Sequence, residues 1–416
     1  MILETINQEL LTLKEKKNYR SLPQLIHDGR DVTVDGRRML NLSSNDYLGL
    51  ANEVSLREAF LKTITPETFL PTSSSSRLLT GNFTAYQELE QQLATMFGAE
   101  SALLFNSGYH ANTGILPAVS DARTLILADK LVHASLIDGI RLSSAKCIRY
   151  RHNDLAQLRR LLEENHGMYE KMIIVTESIF SMDGDEADLQ ALVRLKHDYS
   201  NLLLYVDEAH AFGARGEKGL GCAEEQNCIN DIDFLVGTFG KAAASAGAYI
   251  VCRQTIREYL INKMRTFIFT TALPPVNIQW TAWVLKHFAD FRSKREHLLQ
   301  ISRKRLELLP AHPAAYHRPA LLAEDEVHDG ILRRIPSVRR TPRRHRAERI
   351  PCRGDRTPVQ GGIVERIAAD DVRGIIAAAG PECQAVHLAA RPRRVEDLLR
   401  PDEGDVPPVG NPAVEV

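Results

Sequence analysis

The chain has no CxxC pair: its six cysteines, at positions 147, 222, 228, 252, 352 and 383, stand far apart. That spacing argues against a zinc site or a disulfide framework and for free thiols in a reducing compartment. No uninterrupted apolar run approaches the ~18 residues needed to span a bilayer. Neither sign of charge is in excess, with 52 Lys and Arg against 53 Asp and Glu, so no global basic field draws nucleic acid. A secretion signal is missing too, because Glu4 and Glu9 interrupt the start and no cleavage-site pattern follows. Ile2, Ile6, Leu10 and Leu13 instead recur at helical spacing, which predicts an amphipathic helix. These absences predict a soluble cytoplasmic protein with no metal, no membrane and no nucleic-acid partner. At 416 residues it exceeds one small domain.

One further absence is local. Lys304 is the last lysine, whereas 17 arginines and 12 of the 19 prolines lie between Ala311 and Val416, a stretch with no Phe, Trp or Met. A sequence that uses both cations and then abandons one has changed its compositional rule. A disordered Arg/Pro tail, a basic binding tail and a reading-frame shift near residue 310 are the competing accounts. Interspersed acidic residues weigh against the basic tail, and the frame shift explains the break best.

What is present between about residues 84 and 255 is an alternation of short apolar runs with helical patterns. The runs cover 102–105, 125–128, 171–176, 202–206, 234–236 and 248–252. Over 84–97, Tyr86, Leu89, Leu93, Met96 and Phe97 share a helical face, and Gly98 can end the helix. Strands separated by helix-bearing connections imply crossovers, hence an α/β fold with a mainly parallel sheet and helices on both faces. Ligands of such sheets lie beyond the carboxyl ends of the strands. The Ser-rich run at 72–76 reads either as a linker or as a mobile active-site loop.

Val206-Asp207-Glu208-Ala209-His210 follows one apolar run directly. A nucleotide hydrolase could place Mg²⁺ on such a carboxylate, but it would need an upstream GxxxxGK[ST] loop, and the chain has none. Its nearest imitation, Gly237-Thr238-Phe239-Gly240-Lys241-Ala242, lies downstream and lacks a hydroxyl after the lysine. The same two segments suit pyridoxal phosphate. That cofactor needs a lysine for a Schiff base and a carboxylate to keep its ring nitrogen protonated. Lys241 and Asp207 follow neighbouring runs, and the small residues 242–247 allow close backbone approach. Asn106-Ser107-Gly108-Tyr109-His110-Ala111-Asn112 turns from a strand into a helix, whose free N–H groups suit a phosphate. Asp129-Lys130-Leu131-Val132-His133-Ala134-Ser135 offers His133 as a ring-stacking group.

In this order, SGYHAN, DKLVHASL, TESIFSMDGD, VDEAH, GTFGKA and FTTALPP resemble the α-oxoamine synthases, fold-type-I pyridoxal-phosphate transferases that join an amino acid to an acyl thioester with loss of CO₂. The resemblance spans roughly residues 18–305. NLSSNDYLGL and SSSSRLLTGN sharpen it toward members that condense L-alanine with a pimeloyl thioester. Members using glycine or serine with other acyl thioesters are the alternative, as is a chain that binds cofactor without turnover. The resemblance implies an N-terminal arm over 1–50, a large cofactor domain over 51–290 and a smaller C-terminal domain over 291–416. It implies Lys241 as the covalent anchor and proton shuttle, Asp207 at the ring nitrogen, His210 at the phenolic oxygen and His133 against the ring and the substrate. Gly108 and Tyr109 fall at the phosphate turn, Ser181 and Thr238 bind the cofactor, and Thr270 and Thr271 reach the phosphate across a homodimer interface. Arg20 matches a substrate-binding arginine. The acyl donor would be a coenzyme A or acyl carrier protein thioester. Two departures stand out. Ala242-Ala243-Ala244 replaces a glycine-rich or Phe-Gly continuation, and nothing in 311–416 matches the Pro-Thr-Val-Pro-x-Gly-Thr-x-Arg-like segment that contacts substrate in the family.

Overall fold

A computed structural model describes residues 2–308, so the expectations for 311–416 lie outside the described residues. Two units divide the chain, one starting with Met1–Leu40 and the other running on from Asn41. In the first, helix α1 (Ile2–Glu15) forms over the predicted apolar spacing, and none of its residues is buried. Strands β1 (Ile26–Asp28), β2 (Asp31–Val34) and β3 (Arg37–Leu40) follow as an antiparallel meander. Asp35 and Gly36 turn β2 into β3 with φ of 48° and 75°, the paired positive values of a two-residue type I′ hairpin.

The second unit is built on a seven-stranded sheet: β4 (Ser101–Phe105), β5 (Thr124–Asp129), β6 (Lys146–Tyr150), β7 (Lys171–Glu177), β8 (Leu202–Asp207), β9 (Phe234–Thr238) and β10 (Ala248–Cys252). Their order is β4-β10-β9-β8-β7-β5-β6. Only the two pairings of β10 are antiparallel. Every residue of β4, β5 and β10 is buried; strands buried at successive residues are covered on both faces. Helices α2 (Val54–Leu61) and α3 (Thr84–Phe97) precede the sheet, and α4 (Gly108–Val119), α5 (Ala134–Leu142), α6 (Leu155–Asn165) and α7 (Leu189–His197) make the crossovers. After the short α8 (Cys222–Glu225) come α9 (Gln254–Lys263), α10 (Arg265–Ile268), α11 (Pro275–Lys286) and α12 (Arg292–Leu308). Helix α3 ends as its sequence predicts, on Gly98 at φ 62°, where lacking a Cβ removes the left-handed penalty. Phe97, Phe212, Phe239 and Tyr249 interlock beneath the sheet with ring centroids 4.9–6.2 Å apart.

Because β10 runs against both neighbours, β4 and β9 point the same way as β5, β7 and β8. Phe105, Asp129, Glu177, Asp207 and Thr238 therefore end their strands along one edge, where such sheets bind ligands. The Ser-rich run is tied down: the Ser73 hydroxyl donates to the Ala272 carbonyl at 2.6 Å, and the Ala272 N–H donates to Ser75 at 2.9 Å. Among the described residues no helix is long and apolar enough to cross a membrane.

Candidate active site

Asp207 closes β8 and is buried, its carboxylate gripped by neutral donors. Asn112 Nδ2 donates to Oδ2 at 2.7 Å, and the Ala209 N–H donates to Oδ1 at 2.9 Å. Lys241 follows β9 at the neighbouring strand end. Its Nζ lies 2.5 Å from His210 Nε2, and His210 Nδ1 lies 2.7 Å from the Tyr47 hydroxyl. An ammonium has only protons to give, so Nε2 accepts from Lys241 and the His210 proton sits on Nδ1, facing Tyr47. The turn carrying Lys241 is tight: the Ala244 N–H returns to the Lys241 carbonyl at 2.9 Å, and Ala244 sits at φ 47°. The alanines that replace the family's continuation are thus small enough, but one occupies a conformation that suits glycine better.

His133 caps α5: its Nδ1 accepts from the Ser135 N–H at 3.2 Å and lies 2.7 Å from the Ser135 hydroxyl. His133 is exposed at its surface, although neighbouring protein atoms crowd and partly desolvate the imidazole. That crowding lowers its pKa, with Lys241 and His210 acting in the same direction and Asp207 and Asp138 opposing. Glu177, at the end of β7 and in register with Asp207, accepts from the His133 backbone N–H. Burial, then the nearby Asp207, push the Glu177 carboxyl well above the usual range.

The α4 N-terminus lies beside the lysine turn, and a Cβ on Gly108 would stand 3.8 Å from Thr238. Ser107 caps the helix through the His110 N–H, leaving the first-turn N–H groups of Gly108 and Tyr109 without helical partners. Asn106 Nδ2 donates to the Thr271 carbonyl at 2.8 Å and to the Thr270 hydroxyl at 3.3 Å, so this pair adjoins the same turn within one chain. The Tyr109 hydroxyl is turned outward to Asp138 at 2.7 Å. Ser181 is half-buried in the loop after β7. Arg20 lies exposed in the N-terminal unit.

Several contributors have no assigned part in the motif reading. Tyr47 and Asn112 lie inside NLSSNDYLGL and SGYHAN, yet only the fold brings Tyr47 to His210, 163 positions away. His152 is a second: Asp129 holds its Nδ1 at 2.8 Å and Asp185 its Nε2, while the Asn153 N–H bonds the other Asp129 oxygen at 2.8 Å. This clasp joins the strand leading to His133 with the loop that carries Ser181. Its only sequence signal is a His-Asn-Asp after β6. Glu186, Cys222 and Glu225 also converge, but Arg215 bonds both carboxylates and supplies the cation there.

A mainly parallel sheet with a lysine after one strand, a buried carboxylate ending the next and a helix N-terminus beside both defines a fold-type-I pyridoxal-phosphate transferase. The residues fit that cofactor: among the described residues the Asp207 carboxylate is bonded by neutral donors, next to a lysine amine and the exposed His133. The chain belongs to the aminotransferase class I and II family, whose sequence profile matches residues 37–309, and within it to the α-oxoamine synthases, pyridoxal-phosphate-dependent acyltransferases. It is 58% identical over 295 residues to a Pasteurella multocida protein named as an 8-amino-7-oxononanoate synthase, covering 71% of this chain and 76% of that one. A Haemophilus influenzae protein of the same name is 54% identical over 331 residues, covering 78% and 87%. Among solved structures, Sphingomonas wittichii serine palmitoyltransferase superposes with a TM-score of 0.65 at 28% identity, covering 73% and 76% of the two chains. The 8-amino-7-oxononanoate synthase of Francisella tularensis gives 0.56 at 31% identity, covering 65% and 75%.

Proposed function

We propose that this protein condenses L-alanine with a pimeloyl thioester, releasing CO₂ and giving 8-amino-7-oxononanoate, a step of biotin synthesis in the cytoplasm. The observation that carries the chemistry is the pairing of Lys241 and Asp207 at adjacent strand ends, with His210 bonded to the lysine. The substrate choice is supported by relatives 54–60% identical that bear the synthase name, whereas the serine palmitoyltransferases among its structural neighbours are 26–28% identical.

When bound, pyridoxal phosphate supplies an electron sink for the carbanion formed at the amino acid's Cα. Lys241 Nζ would hold the cofactor and, with its amine free, would take the proton from the Cα of alanine. His210 Nε2 accepts a hydrogen bond from that amine and so holds it in place; with the lysine engaged, His210 faces the cofactor's phenolic oxygen. Asp207 holds a proton on the ring nitrogen, and His133 lies against the ring and the substrate. Gly108 and Tyr109 N–H groups, with Ser181, Thr238, Thr270 and Thr271, take the phosphate and neighbouring oxygens, the threonine pair from the second subunit of a homodimer. Arg20 binds substrate, and the acyl group arrives on coenzyme A or on an acyl carrier protein. The domain limits proposed are 1–50, 51–290 and 291–416. The compositional break at 311 marks a reading-frame shift, which the coding DNA around codon 310, read in all three frames, tests directly.

Borohydride reduction of the loaded protein followed by peptide mapping tests the anchor. The pyridoxyl group should lie on Lys241 and vanish in Lys241→Ala; a label on another lysine refutes the assignment. Incubation with pimeloyl thioester and each of alanine, glycine and serine tests the substrate. Faster CO₂ release with glycine or serine would overturn the choice of alanine.

A further inference from the structure

We propose that Tyr205, Asn112 and Ser135 act as positioning residues that fix His133 in the neutral form with its proton on Nε2, so that His133 meets the site as a hydrogen-bond donor. The inference rests on the His133 placement in the proposed function but extends to three residues with no role there. Each link is set by counting donors and acceptors.

Asp207, as a carboxylate, has only lone pairs to offer. The Asn112 amide must therefore turn its NH₂ toward Asp207, at 2.7 Å, and its oxygen toward the Tyr205 hydroxyl, which donates at 2.6 Å. The opposite amide orientation would set oxygen against carboxylate. The second Nδ2 hydrogen goes to the Ser135 hydroxyl oxygen at 2.9 Å. Ser135, having accepted, is left with its own proton to place, and the His133 Nδ1 lies 2.7 Å away. The Ser135 backbone N–H points at the same nitrogen, at 3.2 Å. Two donors converge on Nδ1, so Nδ1 carries no proton. A neutral imidazole then has its hydrogen on Nε2.

Asn112, Ser135 and Tyr205 are all buried, at 1%, 2% and 0% exposure, so water does not substitute for the links that Asn112 makes to Tyr205, Asp207 and Ser135. Partial desolvation of the imidazole by the surrounding protein atoms, with Lys241 and His210 beside it, favours the neutral form over the imidazolium, against the pull of Asp207 and Asp138. No described residue bonds Nε2, which leaves that N–H for an acceptor oxygen of a bound molecule. The same Asn112 amide orients Asp207, so one side chain sets both the carboxylate and, through Ser135, the imidazole.

Nitrogen-15 spectroscopy of the full-length protein with labelled histidine tests this, with and without pyridoxal phosphate. His133→Gln identifies the His133 signals among the 14 histidines. Expected is one pattern, with Nδ1 bare and Nε2 protonated, across neutral pH. Ser135→Ala should lose that single pattern, populate Nδ1–H and move the His133 titration to higher pH; Ser135→Thr, which keeps the hydroxyl, should restore it. A parent protein with Nδ1–H, or a Ser135→Ala protein with an unchanged spectrum, overturns the proposal. The spectrum of the cofactor-free protein does not depend on which lysine anchors the cofactor, so failure here is distinct from failure of the borohydride assignment.

Discussion

Replacing Asp207 by Asn tests the site at its most constrained point. Both carboxylate oxygens accept from donors, Oδ2 from Asn112 Nδ2 at 2.7 Å and Oδ1 from the Ala209 N–H at 2.9 Å. An asparagine has one oxygen and one NH₂, so either orientation sets a donor against a donor. Turning Asn112 over does not help, because its oxygen is the acceptor of the Tyr205 hydroxyl at 2.6 Å and the misfit moves there. One buried donor is left unpaired in every arrangement, at a cost of about 1–3 kcal/mol. Calorimetry of the cofactor-free variant should show a lower melting temperature. Loss of the charge-assisted bond to a ring nitrogen removes roughly 1.5–3 kcal/mol more from cofactor binding, which is about 10- to 150-fold in Kd. Turnover should fall further, since the charge that keeps the nitrogen protonated is gone. An Asp207→Asn protein with the parent's melting temperature, cofactor affinity and turnover would refute the reasoning at each step.

Two further outcomes follow from residues outside the reacting centre. Burial disfavours charge on His152, but its bonds to Asp129 and Asp185 outweigh this and raise its pKa to about 10. A raised pKa stabilises the fold fully below the unfolded value near 6.5 and loses that contribution as pH climbs through about 10. The difference in melting temperature between the parent and His152→Gln should therefore shrink between neutral pH and pH about 10; a difference that ignores pH would refute the clasp. Ala244 at φ 47° carries left-handed strain of about 1–2 kcal/mol, against which glycine loses about 0.4–1 kcal/mol through the unfolded chain. Ala244→Gly should hold or raise thermal stability by up to roughly 1 kcal/mol and Ala244→Val should lower it, the reverse order ruling the strain out.

The strands that were easiest to find are those buried on both faces. Leu125–Ala128 and Leu202–Val206 are continuous apolar runs because helices cover them on either side, and β5 and β8 form over them. β6 escaped the pattern because Lys146 is exposed and only Tyr150 is buried, so KCIRY has neither a run nor an alternation. The reversal of β10 was equally hidden, since AYIVC would serve a parallel or an antiparallel strand; its direction comes from the short turn after β9, with Gly247 at φ 108°. In the site, Asp207 and Lys241 were visible because strand ends are where such sheets do chemistry. Tyr47, Asn112 and His152 were not, because their roles exist only as contacts across 163, 95 and 23 positions. The motifs identified which segments meet; the bonds within them depend on register that no local pattern carries.

The register also sorts the charges of the site. Glu177, Asp207 and Glu208 crowd two adjacent strand ends, and three buried carboxylates there would repel one another strongly. Burial raises Glu177 well above the usual range, and the neighbouring Asp207 raises it further. Glu208 points away from the cofactor side, accepting from the Ser178 hydroxyl at 2.6 Å and from the Cys222 and Ala223 N–H groups at 3.1 and 2.7 Å. Burial still raises its pKa to about 7 despite those bonds. Both acids thus favour the fold when protonated, and Glu208 loses that contribution as pH climbs from the ordinary carboxyl value of 4.5 through about 7. Glu177 accepts from the His133 backbone, while the Asp207 carboxylate orders Asn112 and, through Ser135, the His133 ring. The Asp207 carboxylate at the end of β8, which can only accept, is what lets the surrounding hydrogen bonds take a single direction.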